Sequence, residues 1–486
     1  MSVDRVVVVG GGPCALAAVR ELADAGVAVT VLDAGRRAPR GITVRVAGRT
    51  VLRWVQPGFR SDDRQRSSRD PATRWISSLS WGGLTNYWTG ACPRFHPNDF
   101  TDGAAISDIY EWPLRYDELV PFYERCEDHL RLTAGDGFAT APPGRARYYH
   151  DPASDWAEVI AAARAAGHPI GPIPISKGRS WMAVARPREF VAEQCLDPRS
   201  LRSGLVRVRR GCRVLRVRPD GARWRVEHLG PDGSLEETTV RAVVLAAGAL
   251  DTTEILLRSG GADFPGGLGN AHGVLGRYLH DHPREWWPVD LDRPLTALSH
   301  PMYVAREAYG AGPPLHASSL TIGLARGRDR LPTLWNGRRA RVGVQVLGTM
   351  TPSERAGIFL DGDPVSNAPE SLLAIDLVFD EATRGLMDEA RQRFVRVMAD
   401  AGVGATLGPG HTLVPGEAAH FGGTARMHAD PRHGVVDAWN RVHGAAGIVV
   451  ADASCFTTTP EKNPTLTAMA LAARAARRLA AELGDG

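Results

Sequence analysis

An uninterrupted run of β-branched residues opens the patterned part of the chain and leads through three glycines into a helical segment. Val6 to Val9 are typical of a strand that is buried on both faces of a parallel sheet. After Gly10-Gly11-Gly12, apolar residues recur at helical spacing within Ala17 to Ala25, and Val27 to Leu32 predict a second strand. Asp33 closes that strand. This order of strand, glycine turn, helix, strand and acid predicts a dinucleotide-binding βαβ unit.

The residues of the glycine turn have separate tasks. Gly10 permits the tight turn, Gly12 lets the backbone approach a pyrophosphate, and Ala15 fills a position that requires a small residue for helix-to-strand packing. We expect the dinucleotide to be bound by this turn and by the acid that follows: Gly10, Gly12, Pro13, Cys14, Ala15 and Asp33. The motif itself does not separate FAD from NAD, but its place at the beginning of this sequence favours FAD.

Later segments extend the same pattern. Arg241 to Gly248 predict a buried strand that can join the first sheet, and Val206 to Val240 predict an antiparallel insertion before it. Ile448 to Ser454 predict a last strand, with Asp452 at the end that faces the cofactor. Pro464 then starts a long Ala-rich helix. The partial positive charge of that helix N-terminus would stabilise the negative charge of a reduced flavin.

A histidine and an asparagine near the end of the chain supply the candidate chemistry. His420 is followed by Phe421-Gly422-Gly423-Thr424, and Asn463 precedes Pro464-Thr465. A neutral imidazole can accept a proton near neutral pH, so His420 suits the role of general base. Beside a dinucleotide unit, the two segments indicate oxidation of an alcohol by hydride transfer to a flavin.

Other histidines are interpreted as structural. His280 and His282 flank Asp281, but no further cluster of ligands accompanies them, so we expect no metal site. His443 lies in a turn before the last predicted strand. We therefore assign none of these three histidines a catalytic role.

Composition narrows the class of protein. A chain of 486 residues with 43% hydrophobic content can bury the core of two domains or of one elaborated domain. Its 58 basic and 54 acidic side chains nearly balance, which argues against nucleic acid as a partner. The six cysteines form no CxxC pair, and no signal peptide or bilayer-spanning stretch is apparent. We expect a soluble cytoplasmic protein without disulfides.

Several blocks together resemble the glucose–methanol–choline (GMC) oxidoreductase family. Besides the segments above, they include Trp81-Gly82-Gly83-Leu84-Thr85-Asn86-Tyr87-Trp88, Gly276-Arg277 and Asp281-His282-Pro283. Within the family, the run from Gly82 to Thr89 and the later Cys92-Pro93-Arg94-Phe95 are most similar to pyranose oxidases and bacterial glycoside oxidases. The resemblance covers the flavin domain well and about 284–415 poorly.

The resemblance implies FAD as cofactor and His420 and Asn463 as the catalytic pair. It adds further expected FAD contacts: Gly82, Gly83, Asn86, Tyr87, Trp88, Thr89, Cys212, Val214, Ala247, Gly248, Asp452, Ala453, Asn463, Pro464 and Thr465. Some members attach the flavin to a histidine at the place that Tyr87 holds here, so non-covalent FAD is expected. His428 stands where glycine is common in the family.

The expected fold class is α/β, with a Rossmann-type FAD-binding domain and a discontinuous substrate-binding domain on a mostly antiparallel sheet. Residues 1–140, 200–283 and 416–486 are assigned to the first domain, and 141–199 and 284–415 to the second. Strand-like runs from Arg341 to Leu347 and from Leu372 to Phe379 predict a sheet over the flavin. Trp286 and Trp287 are candidates for stacking on a sugar, although aromatic residues more often belong to a core.

The function expected from the resemblance is FAD-dependent oxidation of a CH–OH group of a sugar or glycoside to a carbonyl. The hydride would pass to flavin N5 while His420 accepts the hydroxyl proton. The alternatives are oxidation of a primary alcohol on an aminosugar or other natural product, and a non-redox lyase that retains FAD. The expected partners are the small-molecule substrate and either O₂ or another electron acceptor, with neither nucleic acid nor membrane.

Overall fold

The computed structural model of the protein describes residues 6–35, 41–46, 49–55, 64–66, 73, 75–86, 88, 90–133, 154–176, 196–293, 295, 302–304, 312–324, 341–360, 373–410 and 414–484. The α-helices within these ranges are α1 Pro13–Asp24, α2 Tyr116–Leu130, α3 Ser154–Ala165, α4 Pro198–Arg202, α5 Ala249–Arg258, α6 Glu381–Asp400 and α7 Thr465–Gly484. Short 3₁₀ helices lie at Gly83–Asn86, Pro97–Phe100, Asp108–Tyr110 and Ala453–Cys455.

The strands of the same ranges are numbered in chain order. They are β1 Val6–Val9, β2 Val29–Asp33, β3 Gly41–Val46, β4 Arg49–Val55, β5 Arg64–Arg66, β6 Trp75–Ser77, β7 Leu132–Thr133, β8 Ile170–Pro172, β9 Ile175–Ser176, β10 Val206–Arg210, β11 Arg213–Asp220, β12 Arg223–Leu229, β13 Leu235–Val240, β14 Ala242–Leu245, β15 Arg284–Leu291, β16 Met302–Val304, β17 Ser318–Leu324, β18 Arg341–Gly348, β19 Gly357–Leu360, β20 Leu373–Asp376, β21 Ala405–Leu407 and β22 Ile448–Val450.

A five-stranded parallel sheet forms the dinucleotide-binding part of the fold. Its strand order is β10-β2-β1-β14-β22, and Val6 lies opposite Val29 on one side and Ala242 on the other. All four valines of β1 are buried, as expected for a strand that helices cover on both faces. The predicted strands at Val6, Arg241 and Ile448 are thus confirmed as neighbours in one sheet.

The predicted antiparallel insertion begins later than expected. Val206–Arg210 pairs in parallel with β2 as the edge strand of the five-stranded sheet, so its assignment to the insertion is wrong. Gly211, at φ +73°, lets the chain leave the sheet, and the antiparallel strands β11, β12 and β13 follow. In this edge strand valines alternate with arginines, a pattern that a hairpin strand can also have. Only the partner strand distinguishes the two cases.

Helices α1 and α7 pack together beside the parallel sheet. Their shared core contains Leu16 and Leu22 of α1 with Leu471 and many alanines of α7, all of them buried. Small side chains allow helix axes to approach closely, which explains the Ala-rich composition of α7. The packing brings the N-termini of both helices to the carboxyl edge of the sheet, where ligands of such sheets bind.

A second, antiparallel sheet has the order β21-β15-β18-β17-β16-β8, and α3 and α6 contribute to its core. Arg341 to Leu347 form β18 of this sheet as predicted, whereas Leu373–Asp376 pairs instead with β19 in a separate two-stranded ribbon. Trp287 is fully buried in this core and its Nε1 donates to Glu285. Its core position therefore does not support the stacking role considered for Trp287.

Three further features bear on function. The cysteines within the described ranges, Cys14, Cys92, Cys126, Cys212 and Cys455, are free. None of the helices placed by the structure is long and apolar enough to cross a bilayer. Across those same residues, no group of three or more His, Cys, Asp or Glu side chains is arranged to hold a metal ion.

Candidate active site

The glycine turn between β1 and α1 brings the backbone against β14. Gly10 has φ +110°, and a Cβ there would lie 2.4 Å from the carbonyl oxygen of Ala246. No residue other than glycine fits this close approach. Gly12 differs, because it has an extended conformation at the start of α1 and a Cβ there would meet no atom within 4 Å. Open space therefore lies directly in front of the helix.

The N-terminus of α1 is built to receive an anion. Gly12 is the N-cap residue and has no side chain to cap the helix, and Pro13 occupies the first turn. The N–H groups of a first helical turn have no partners within the helix and carry partial positive charge. Together they form a site of the kind that binds the phosphates of a dinucleotide.

Asp33 lies at the carboxyl end of β2, beside this turn. Its Oδ1 accepts a hydrogen bond of 3.0 Å from the backbone N–H of Gly35, and burial raises the pKa of this carboxyl to about 6. The Arg210 guanidinium is near enough to oppose that rise, and it stacks over the Trp81 ring at 4.6 Å. This is the position at which a carboxylate binds ribose hydroxyls in dinucleotide folds.

One cavity of about 1450 Å³, including its opening to solvent, extends from this turn to His420. Most of the cofactor residues expected from the sequence line it: Gly10, Gly12, Pro13, Cys14, Asp33, Gly83, Cys212, Val214, Ala247, Gly248, Asp452, Ala453, Pro464 and Thr465. The chain segments that carry them are far apart in sequence. The fold therefore brings most of the expected set together.

The remaining expected residues lie elsewhere or outside the described ranges, and Asn463 contacts His420 without being one of the residues that line the cavity. Ala15 is buried behind the turn in the core, and Trp88 packs against that core. Gly82 is also buried, and its N–H donates to the carbonyl of Gly11 at 3.1 Å. Asn86 ends a 3₁₀ helix. Tyr87 and Thr89 lie outside the described residues.

Asp452 connects two turns at the edge of the cavity. Its buried carboxylate accepts hydrogen bonds from Thr252 Oγ1 at 2.5 Å, the Gly248 N–H at 3.0 Å and the Ser454 N–H at 3.0 Å. The side chain thereby holds the start of α5 against the segment after β22. Because these partners occupy the carboxylate, Asp452 first shapes the cavity wall.

His420 lines the cavity, and Asn463, 43 positions later in the sequence, contacts its ring. The Nδ2 of Asn463 lies 3.4 Å from Nε2 of His420. The other ring nitrogen of His420, Nδ1, lies 2.9 Å from Nδ1 of His282. His420 is half-buried and Asn463 is buried.

Asp281 anchors the loop that carries His420. Its two carboxylate oxygens accept hydrogen bonds from the backbone N–H groups of Gly416 at 3.0 Å and His420 at 2.9 Å. Burial raises the pKa of this carboxyl to about 7, against the lowering effect of those donors. Ala419, directly before His420, has φ +56°, a conformation that costs energy for a residue with a Cβ. The anchored loop sustains this strain.

Asp281 and His282 are the functional neighbours that the sequence interpretation missed. His282 was interpreted as structural because no further cluster of metal ligands accompanies it, and its contact with His420, 138 positions away, is visible only in the fold. The available signal was the motif Asp281-His282-Pro283, which belongs to the blocks shared with the GMC family.

His428 and His443 have structural hydrogen bonds. The Nε2 of His428 lies 3.0 Å from the carbonyl oxygen of Asp108, and its Nδ1 accepts from the Asp430 N–H at 2.9 Å. The Nε2 of His443 lies 3.1 Å from the carbonyl oxygen of His428. The structural interpretation of His443 fits this placement, and His428 acquires the same explanation.

A parallel sheet, an open helix N-terminus and a histidine at the end of one cavity define a dinucleotide-binding oxidoreductase. Residues 5–411 match the family model of FAD dependent oxidoreductases, and residues 369–472 match that of the GMC oxidoreductases. The chain belongs to the GMC family and is an FAD-dependent alcohol oxidoreductase.

Three relatives illustrate the family. The chain is 26% identical to 6'''-hydroxyparomomycin C oxidase of Streptomyces lividus, over 88% of this chain and 87% of the relative. It is 26% identical to paromamine 6'-oxidase of Streptomyces fradiae, with coverages of 98% and 91%. For C-glycoside 3-oxidase of Microbacterium trichothecenolyticum the identity is 27%, with coverages of 90% and 83%. A solved fungal aryl-alcohol oxidase shares the fold, with a TM-score of 0.70 at 18% identity over all of both chains.

The residues of the cavity fit FAD. The space in front of Gly12 leaves room for a pyrophosphate at the N-terminus of α1, and Asp33 stands where the adenosine ribose would lie. At the other end, Pro464 and Thr465 place the N-terminus of α7 in the cavity wall beside His420. One extended dinucleotide can therefore contact both helix termini.

Proposed function

We propose that the protein oxidises a CH–OH group of a sugar or glycoside to a carbonyl. The observation that carries the proposal is the contact between His420, which lines the FAD cavity, and Asn463, whose Nδ2 lies 3.4 Å from His420 Nε2. A base and a hydrogen-bond donor at one position are what a hydroxyl needs in order to lose its proton.

The two residues divide the work at the substrate hydroxyl. His420 Nε2 accepts the hydroxyl proton, while Asn463 Nδ2 donates a hydrogen bond to the substrate oxygen and stabilises its developing negative charge. FAD, when bound, supplies the acceptor for the hydride that leaves the carbon. The alcohol thus loses one proton to the base and one hydride to the cofactor, and a carbonyl remains.

We assign FAD binding to the cavity residues, without a covalent bond. The first turn of α1 would bind the pyrophosphate and Asp33 the ribose, while the N-terminus of α7 would face the flavin ring. Ala15, Gly82 and Trp88 would support this site from behind. The roles of Asn86, Tyr87 and Thr89 remain predictions from the family resemblance.

The substrate class rests on the named activities of the relatives. An oxidase of 6'''-hydroxyparomomycin C and a C-glycoside 3-oxidase both act on sugar-containing molecules. Their sequences are 26% and 27% identical to this chain. The name paromamine 6'-oxidase favours a second candidate, oxidation of a primary alcohol on an aminosugar. Both candidates use the same pair of residues.

The division into domains and the compartment complete the proposal. We keep residues 1–140, 200–283 and 416–486 as the FAD-binding domain, and 141–199 and 284–415 as the substrate-binding domain. The separate parallel and antiparallel sheets support that division.

Free cysteines support a reducing compartment, for which we propose the cytoplasm. O₂ or another small acceptor would reoxidise the flavin.

The test is anaerobic mixing of the FAD-loaded protein with glycosides, aminosugars and monosaccharides. We expect one class to bleach the visible flavin band. His420→Ala should retain FAD and lower the rate of bleaching by about 10²–10⁴, the usual contribution of a general base. His272→Ala changes an exposed histidine outside the cavity and serves as the matched control.

Other outcomes separate the alternatives. Bleaching at the normal rate in His420→Ala would contradict the assignment of the base. A flavin that no alcohol bleaches, in a protein that still converts a substrate, would identify the non-redox lyase. The colour should return in air for an oxidase and only with an added acceptor for a dehydrogenase.

A further inference from the structure

A chain of hydrogen bonds passes through His282 to the candidate base. The Nε2 of His282 lies 2.5 Å from the carbonyl oxygen of Pro460, and its Nδ1 lies 2.9 Å from Nδ1 of His420. The two rings are nearly perpendicular, at 88° with centroids 4.9 Å apart. Asn463 Nδ2 lies at the other end, 3.4 Å from His420 Nε2.

The Pro460 end of this series of hydrogen bonds determines which ring nitrogens carry protons. The carbonyl oxygen of Pro460 can only accept, so His282 Nε2 must carry a proton and donate it. In a neutral imidazole the other nitrogen is then an acceptor, so His282 Nδ1 offers a lone pair. His420 Nδ1 must therefore carry the proton between the two rings. His420 Nε2 is left with its lone pair.

The Asn463 end of the series indicates independently that His420 Nε2 carries no proton. An asparagine Nδ2 can only donate, so the nitrogen that it faces, His420 Nε2, must be an acceptor. A charged His282 would reverse the assignment, because both of its nitrogens would then donate. Burial disfavours that state near neutral pH, since it lowers the pKa of His282 to about 4.

We propose that His282 is a positioning residue that fixes His420 as the Nδ1–H tautomer, so that the Nε2 lone pair faces Asn463. The catalytic use of that lone pair rests on the proposed function, whereas the tautomer itself does not. Which nitrogen of a histidine is protonated follows from the hydrogen bond made by the other. Without an acceptor at Nδ1, the proton could equally reside on Nε2, where it would block the base.

His282 also connects the two segments that carry the pair. It bonds to the loop of His420 through its Nδ1 and to the carbonyl of Pro460, three positions before Asn463, through its Nε2. The ring is buried, with 2% of its surface exposed, so water does not compete for either nitrogen. One imidazole thereby sets the tautomer of His420 and holds it in register with Asn463.

His280 provides a matched control on the same segment. It is as buried as His282, and its ring nitrogens contact the carbonyl of Tyr278 at 3.1 Å and Thr459 Oγ1 at 2.7 Å. In the part of the chain that the structure describes, the His280 ring is bonded to Tyr278 and Thr459 and not to His420. His280→Leu therefore removes a buried imidazole and its two hydrogen bonds while leaving the contact between His282 and His420 in place.

The first experiment reads the tautomer directly by ¹⁵N NMR of the FAD-loaded protein labelled at histidine rings, with His420→Asn used to assign the signal. We expect wild-type His420 to be protonated at Nδ1 and not at Nε2. A wild-type His420 protonated at Nε2 overturns the proposal without any variant of His282. His282→Leu should convert His420 partly or wholly to the Nε2–H form, whereas His280→Leu should not.

The second experiment measures the anaerobic rate of flavin reduction in the same variants. His282→Leu should lose on the order of 10²-fold, within the range that general-base help supplies. His282→Gln should recover most of that loss, since its amide can donate to Pro460 and accept from His420 Nδ1. An unchanged tautomer in a folded His282→Leu overturns the proposal.

The two proposals fail in different ways. If His420 has the Nδ1–H tautomer but no alcohol reduces the flavin in any variant, the tautomer assignment stands and the proposed function fails. If wild type reduces flavin, His420→Ala does not, and His420 is protonated at Nε2, the role of His282 fails and the proposed function stands.

Discussion

At the scale of single residues, the surroundings of His420, the proposed base, keep its imidazole neutral. Burial lowers the pKa of His420 well below its usual value, and the Arg284 guanidinium lowers it further. Burial likewise lowers the pKa of His280 to about 3. A base that holds no proton before the substrate arrives is ready to accept one.

The low pKa of His420 affects the pH dependence of flavin reduction. A lowered pKa means that the proton-free form of His420 persists as pH falls, so protonation of this base should slow the reaction only well below pH 6.5, and a change centred near pH 7 would be assigned to Asp281. The charged or titratable groups around the pair are Arg284, Asp281, His282, Glu461 and Lys462. Stopped-flow measurement of the rate of flavin reduction between about pH 5 and 8, with saturating substrate, tests this expectation. A rate that halves near pH 6.5 would show an ordinary histidine.

The sequence identifies the residues of the candidate site but does not give their geometry. His420 and Asn463 could be identified because the family motif names both positions. Their geometry could not, because the deciding contact comes from His282 and depends on how three distant segments meet. A pattern of residues predicts which side chains are present at a site, and only the fold shows which nitrogen faces which partner.

At the scale of elements, the glycine turn separates folding from cofactor binding. Gly10 is required by the fold, since a Cβ there would overlap the Ala246 carbonyl on β14. Gly12 meets nothing, so the fold tolerates a larger residue. We therefore propose that the space in front of Gly12, at the N-terminus of α1, receives the pyrophosphate of FAD.

We predict that Gly12→Ala folds normally and binds FAD at least about tenfold more weakly, a change of roughly 1.4 kcal/mol. Gly10→Ala should instead lower stability and soluble yield. Gly261→Ala, at an exposed glycine with nothing within 4 Å of its Cβ, is the control. Circular dichroism and FAD titration of the apoprotein measure the two effects. Full affinity in Gly12→Ala would place the pyrophosphate elsewhere.

The elements themselves were predictable to different degrees. Valine runs bounded by glycines predict β1 and β14 well, because a strand that is buried on both faces has a composition that few other structures share. The parallel pairing of Val206–Arg210 was missed, and Leu373–Asp376 lies in a separate ribbon. In both cases the local sequence specifies a strand, whereas the partner depends on the rest of the molecule.

At the scale of the whole molecule, the cavity is assembled from distant parts of the chain. Its walls come from segments around Gly10, Ile76, Cys212, Ala247 and His420, together with the start of α7. Each segment reaches the cavity from a different strand or helix. A ligand that contacts all of them connects the parallel sheet to the elements that cover it, so its binding should stabilise the fold as a unit.

FAD should therefore raise the unfolding temperature in a concentration-dependent way. A ligand that binds only the folded state stabilises it by about 2.7 kcal/mol at 100 times its dissociation constant. We expect the midpoint of thermal unfolding of the apoprotein to rise steadily with added FAD, and Gly12→Ala to need more FAD for the same rise. FMN lacks the adenosine that Asp33 and α1 would bind, so it should produce a much smaller shift. Equal shifts with FMN and FAD would mean that the dinucleotide end contributes little, whereas a response to FAD alone ties the stability of the whole molecule to the cavity that these segments share.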